Sequence, residues 1–234
     1  MADAGRYGYQ GRVSDSISSP DYWQERYDSG EDRWDKGSAA PPLLEYLRTE
    51  RVGGDVLVPG CGAGHDVRAL ARQGARVVGL DFARGAIDRA RGYPAVGSEL
   101  YIQGDFFSLP PGMEDHFDWV FEHTCFCAIE PARRSAYVDS CARALRDGGQ
   151  LLAIFYLDPR SSHEEGPPFG VTKDELDHCF GEKFILNSEN VPTKAYPGRE
   201  GCELVRFYKR KPGSALQKIF SEEPGKASYS RGLA

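Results

Sequence analysis

Residues 121–131, "FEHTCFCAIEP", bring His123, Cys125, Cys127 and Glu130 close together in the chain. Three chemistries compete for them. A metal would find soft ligands in His123, Cys125 and Cys127. Their i, i+2 spacing at one strand end, with no second C-x2-C or H-x3-H pair, does not build a tetrahedral site. A cysteine nucleophile needs a neighbouring base and a reason for covalent chemistry. In the third reading the stretch is a pocket wall, with the cysteines as small apolar filler. Glu130 then favours the following helix start by opposing its dipole. His123, at the strand end, either touches the reacting groups or makes ordinary hydrogen bonds.

A second constellation lies upstream. "VLVPGCGAGHD" puts Gly60, Gly62 and Gly64 between an apolar run and a helical one. Glycines there let the backbone approach a ligand, and the helix start offers unpaired N–H groups. Asp81 ends the next apolar run, where a carboxylate accepts ribose hydroxyls. Asp105, in "GDFF", ends the third, beside Phe106 and a second aromatic that could flank an adenine. A dinucleotide loop reads G-x-G-x-x-G and keeps its helix start free for a pyrophosphate. Here the loop is G-x-G-x-G followed by His65 and Asp66. Asp66 would repel a pyrophosphate and suit the ammonium of a methionine moiety. S-adenosylmethionine (SAM) therefore fits better than NAD.

These residues need a sheet edge to meet on. Short apolar runs alternate with helical patterns from Asp55 to "QLLAIFYL", which predicts a parallel sheet with helices on both faces. One helix is expected across "PARRSAYVDSCARALRDGG", from Pro131 to Gly148. After a loop at "EGPPFG" come a helix, "TKDELDHCF", and two strands, "KFILNSENV" and "CELVRFYKRK". That makes a seven-stranded, mostly parallel α/β sheet with one antiparallel strand at its edge. The expected organisation is a flexible segment 1–20, a single domain 21–211 whose residues 21–50 form a helical cover, and an extension 212–234.

Composition narrows the class. The 234 residues are 40% hydrophobic, with 29 Lys and Arg against 35 Asp and Glu, a net charge of −6. A packed core is expected, without the basic field that attracts nucleic acid. No stretch has the apolar length of a membrane helix or signal peptide. Six scattered cysteines suit reduced thiols. A cytoplasmic monomer or weak dimer acting on a small molecule is expected.

The stretches "YWQERYDSG", "RWDKG", "VLVPGCGAGHD", "VVGLD", "GDFF", "FDWVFEHTCFCAIEP" and "GPPF" resemble the thiopurine S-methyltransferase-like family. "PGCGxGHD" and "FCAIEP" point to its thiol and halide (thiocyanate) methyltransferase branch. The resemblance runs from about residue 21 to residue 211. It implies a Rossmann-like class I SAM-dependent methyltransferase, without metal. It also implies that Trp23, Tyr27 and Trp34 cover the SAM and the substrate, where aromatic faces suit a sulfonium. Two positions depart from the family: Tyr27 stands where the plant enzymes have Trp, and His123 where they have Tyr and the thiopurine enzymes Arg.

The function expected is in-line methyl transfer to a soft nucleophile: a thiol or sulfide, thiocyanate or a halide. Trp34, His123, Phe126 and Phe169 are expected to wall the acceptor. His123 or Tyr156 would orient it or take its proton. The alternatives are O- or N-methylation of a small metabolite, and a non-catalytic SAM-binding protein.

Overall fold

The computed structural model describes residues 17–157 and 166–212. Of the expected terminal segments, 1–16 and 213–234 lie outside the described residues.

Seven strands form one sheet in the order β3-β2-β1-β4-β5-β7-β6. The strands are β1 (Asp55–Pro59), β2 (Arg76–Asp81), β3 (Ser98–Gln103), β4 (Phe117–His123), β5 (Leu145–Tyr156), β6 (Phe184–Asn190) and β7 (Glu203–Arg210). The helices are α1 (Pro20–Ser29), α2 (Pro41–Tyr46), α3 (His65–Ala71), α4 (Arg84–Arg91), α5 (Arg134–Ala144) and α6 (Lys173–Gly181). Strands β1 to β5 pair in parallel, and β7 runs antiparallel to both β5 and β6.

The antiparallel strand expected at the edge therefore sits one place in from it. Side-chain character explains the exchange. Strand β7 is buried over most of its length, whereas β6 exposes every residue after Phe184. The strand with apolar residues on both faces takes the covered position, and the polar one tolerates the edge. The α5 helix also ends sooner than expected, at Ala144. Residues 145–149 join β5 through a register shift opposite Phe117 and Trp119, with Gly148 at φ 71°.

Period-two alternation divides the core. Val56 and Val58 of β1, Trp119 and Phe121 of β4, and Leu152 and Ile154 of β5 pack on one face against α2 and α3. Leu57, Val120, Leu151 and Ala153 pack on the other against α5 and α6. Each buried Leu or Phe contributes about 1.5–3 kcal/mol relative to exposure, so a one-residue slip of β4 would cost several such side chains. The parity of β4 is thereby fixed: Glu122 turns toward α5 and His123 toward α3.

Candidate active site

The carboxyl ends of β1, β2 and β4 open into a cavity of about 680 Å³, the size class of small-molecule sites. Its floor begins with the glycine loop. Gly60 and Gly62 line the cavity at φ 57° and 52°. A Cβ on Gly60 would stand 2.7 Å from Cys125 Sγ. The loop is held from below by Arg68, which is buried and donates to the Ala63 carbonyl at 2.9 Å and the Tyr101 hydroxyl at 3.2 Å. Gly64 does not line the cavity; a Cβ there would meet the Tyr101 ring at 2.5 Å. Its lack of a side chain serves packing.

Asp81 is on the wall and buried. It accepts from the N–H groups of Gly62 and Ala83, both at 3.0 Å. Burial raises its pKa to about 6, against the downward pull of those hydrogen bonds. Asp105 and Phe106 lie on the same wall, just beyond the end of β3. Asp105 accepts from the Phe107 N–H at 2.9 Å, which shapes the turn that presents Phe106 and Phe107.

The roof is the N-terminal cover. Ser19 caps α1, Pro20 occupies its first turn, and Gly30 closes it in the left-handed region. None of its residues is buried. Trp23, Tyr27 and Trp34 all reach the cavity, and Trp34 sits edge-on to both other rings. The Trp34 indole N–H donates to the Tyr27 hydroxyl at 3.3 Å. Side chains moor this roof. Gln24 accepts from the Gly85 N–H at 2.9 Å, supplying a cap that Ala83 cannot provide to α4. Arg89 pairs with Asp32, and His65 Nε2 lies 3.0 Å from Asp35.

Five further residues named from the sequence lie off the cavity wall. His123 faces α3, where its Nδ1 donates to Asp66 Oδ2 at 2.9 Å. Asp66 Oδ1 accepts from the Ala40 N–H at 2.7 Å. Both Asp66 oxygens are thus engaged in joining α2, α3 and β4, away from the position expected for an ammonium. Phe126 is 1% exposed in the core, among Tyr137, Phe155 and Phe180. Phe169 lies behind Gly166, its N–H donating to the Cys127 carbonyl at 2.7 Å. Tyr156, also off the wall, stands under the Arg199 guanidinium at 4.8 Å.

Other residues take the places this leaves. Cys125 and Cys127 line the cavity with Thr124, a β-branched residue held at φ 61°. Such backbone costs of order 1–3 kcal/mol and persists where surroundings impose it, often at functional sites. Burial, reinforced by Glu122, raises the Cys125 thiol well above its ordinary value and pushes Cys127 up to about 12. Both are therefore neutral thiols near pH 7, unsuited to nucleophilic attack. Among the described residues no group of three His, Cys, Asp or Glu side chains could hold a metal. Glu122 is fully buried behind this wall, accepts from the Phe126 N–H at 2.7 Å and from the Tyr137 hydroxyl, and is raised by burial to about 7.

A glycine loop under the cavity and one carboxylate at each of the next two strand ends are the frame of a nucleoside site on an open α/β sheet. Comparison with known proteins specifies it. The sequence profile of the thiopurine S-methyltransferase family matches residues 18–195. The chain belongs to that family. Thiocyanate methyltransferase 1 of Brassica oleracea is 35% identical over 80% of this chain and 84% of its own. Probable thiol methyltransferase 2 of Arabidopsis thaliana is 33% identical over 83% of this chain and 87% of its own. A Burkholderia thailandensis 1,6-didemethyltoxoflavin-N1-methyltransferase, solved with its substrate and S-adenosylhomocysteine (SAH), superposes with a TM-score of 0.63. It covers 83% of this chain and 87% of that one, and at 18% identity it speaks for the fold alone. As a member of the thiopurine S-methyltransferase family, the chain is a SAM-dependent methyltransferase.

Proposed function

We propose that the protein methylates a small soft anion, thiocyanate or a thiolate in preference to a halide, inside this cavity. The observation that carries the reading is the buried Asp81 beside Gly60 and Gly62, which fits a ribose in a cavity that Trp23, Tyr27 and Trp34 also line. SAM supplies a methyl group activated by a sulfonium sulfur. The chain supplies position and dryness. Asp81 accepts ribose hydroxyls, and Asp105 with Phe106 and Phe107 holds the adenine. The ring faces of Trp23, Tyr27 and Trp34 favour a cation and exclude water. A weakly hydrated anion loses little on entering such a site, while an alcohol needing deprotonation would require a placed base.

His123 and Tyr156 enter this reading as supports behind the wall, His123 by fixing Asp66 and Tyr156 by backing Arg199. All six cysteines are free thiols, which supports a reducing, cytoplasmic setting.

SAH formation should be followed with SAM and, in turn, thiocyanate, bisulfide, an aryl thiol, a thiopurine, iodide and a catechol. Sulfur acceptors and thiocyanate should give the highest kcat/KM, with iodide below them. Tight SAH binding without turnover of any sulfur or halide acceptor would move the activity to oxygen or nitrogen.

A further inference from the structure

The cavity's far end is built by the segment preceding β7. The proposed adenosine residues follow β2 and β3, on one side of β1. Strand β7 lies three places from β1 on the other side. Arg199 enters the cavity there, at the end shared with Cys127 and the Gly166–Pro168 segment, which follow β4 and β5. Its guanidinium lies 4.8 Å from the Tyr156 ring centre and 5.7 Å from that of Tyr196. Nη1 donates to Glu203 Oε1 at 3.3 Å. The Arg199 side chain is 14% exposed and that of Glu203 only 1%. Glu203 is absent from the cavity wall, and its second oxygen, Oε2, has no partner among the described residues.

Three other arginines line the cavity, all away from the β7 end. Arg26 lies over the Tyr22 ring of the cover, Arg33 precedes Trp34 in the same cover, and Arg133 lies over Phe107 on the adenine side. A guanidinium is planar, weakly hydrated and offers five donors, one of which Glu203 uses. The remaining donors and the charge suit a weakly hydrated anion arriving from the cavity.

We propose that Arg199 binds the anionic atom of the methyl acceptor, and that Glu203 is the positioning residue that aims it. The inference rests on the reading that this cavity methylates a soft anion. It adds the residue that decides anion against neutral acceptor. Glu203 restrains the guanidinium from behind, so the anion meets Arg199 first.

Full-length wild type, Arg199→Met, Glu203→Ala and Glu203→Gln should be compared in thiocyanate turnover, SAH affinity and thiocyanate binding to the SAH complex by calorimetry. Losing a charge-assisted hydrogen bond should raise the thiocyanate KM of Arg199→Met roughly 10- to 100-fold. Its kcat and its affinity for SAH should stay near wild type. Glu203→Ala should raise KM similarly. Glu203→Gln keeps an acceptor for Nη1 and removes the opposing charge, so its KM should return to the wild-type value or below. An unchanged KM in Arg199→Met, or parallel losses of kcat and SAH affinity, would overturn the role of Arg199. Glu203→Gln behaving as Glu203→Ala would overturn the positioning role. Should wild type turn over no sulfur acceptor, the functional reading falls, and calorimetry still decides the anion site. Thiocyanate bound by wild type and lost in Arg199→Met would support it; equal binding, or none to wild type, would overturn it.

Discussion

The Asp81 carboxyl is raised to about 6 by burial, against the opposing pull of the Ala83, Gly62 and Phe82 backbone N–H groups. Ribose hydroxyls would add donors that favour the ionised form, so nucleoside binding should release a proton from any molecule in which Asp81 is neutral. The sign follows: affinity rises with pH through about 6. SAH binding should weaken about tenfold from pH 7 to pH 5, as a site that must be ionised would dictate. Asp81→Asn should remove this dependence and weaken binding at pH 7 by about 1.5–3 kcal/mol. Calorimetry at both pH values is the check, and an identical pH profile in the variant would dismiss the ribose contact. At Gly60 the constraint is steric. Gly60→Ala places a methyl against Cys125 at positive φ, and should lower SAH affinity and the melting temperature together.

At the scale of elements, α1 stands apart from the strands beneath it. A helix with no buried residue, moored by Gln24 to Gly85 and followed by the Arg89–Asp32 pair, belongs to the least stable part of the fold. Its aromatic contacts face the cavity, so a ligand should contribute much of what holds it down. Hydrogen exchange across residues 20–36 should slow on SAH addition, while β4 and β5 remain unchanged. Equal exchange with and without ligand would mean that Trp23, Tyr27 and Trp34 are ordinary packing. The segment 166–170 is secured differently, by the buried Arg134 donating to the Phe169 and Gly170 carbonyls. It should show little change.

For the whole molecule, the buried Glu122 ties stability to pH. Its folded pKa, about 7 through burial, lies above the unfolded 4.5. The native state therefore holds an extra proton between those values. That contribution is fully present below about 4.5 and is lost as pH rises through about 7. Glu122→Gln keeps the shape without the charge. Urea denaturation at pH 5 and pH 8 should show the wild type losing more stability than the variant, by up to about 3 kcal/mol. Equal losses would mean that Glu122 ionises normally.

Local patterns carried much of this protein. Alternating apolar runs and helix-stop glycines defined the layered sheet, because burial imposes its period directly on the chain. That Gly60, Gly62, Asp81, Asp105 and Phe106 share one cavity was legible because they follow the ends of apolar runs, which a parallel sheet brings to one edge. Tertiary structure decided what depends on which face a side chain takes. His123 follows Phe121 onto the α3 face, and β4 parity rests on partners distant in sequence. Asp66 was read as a ligand for a cation until the fold brought Ala40 and His123 to its two oxygens. Phe126 was drawn into the core by Tyr137, Phe155 and Phe180, each contributed by another element. Arg199 and Glu203, three strands from the glycine loop, carry no local pattern linking them to it. The place of Arg199 at the cavity, with Glu203 behind it, comes from the insertion of β7 between β5 and β6, where its buried faces are covered on both sides.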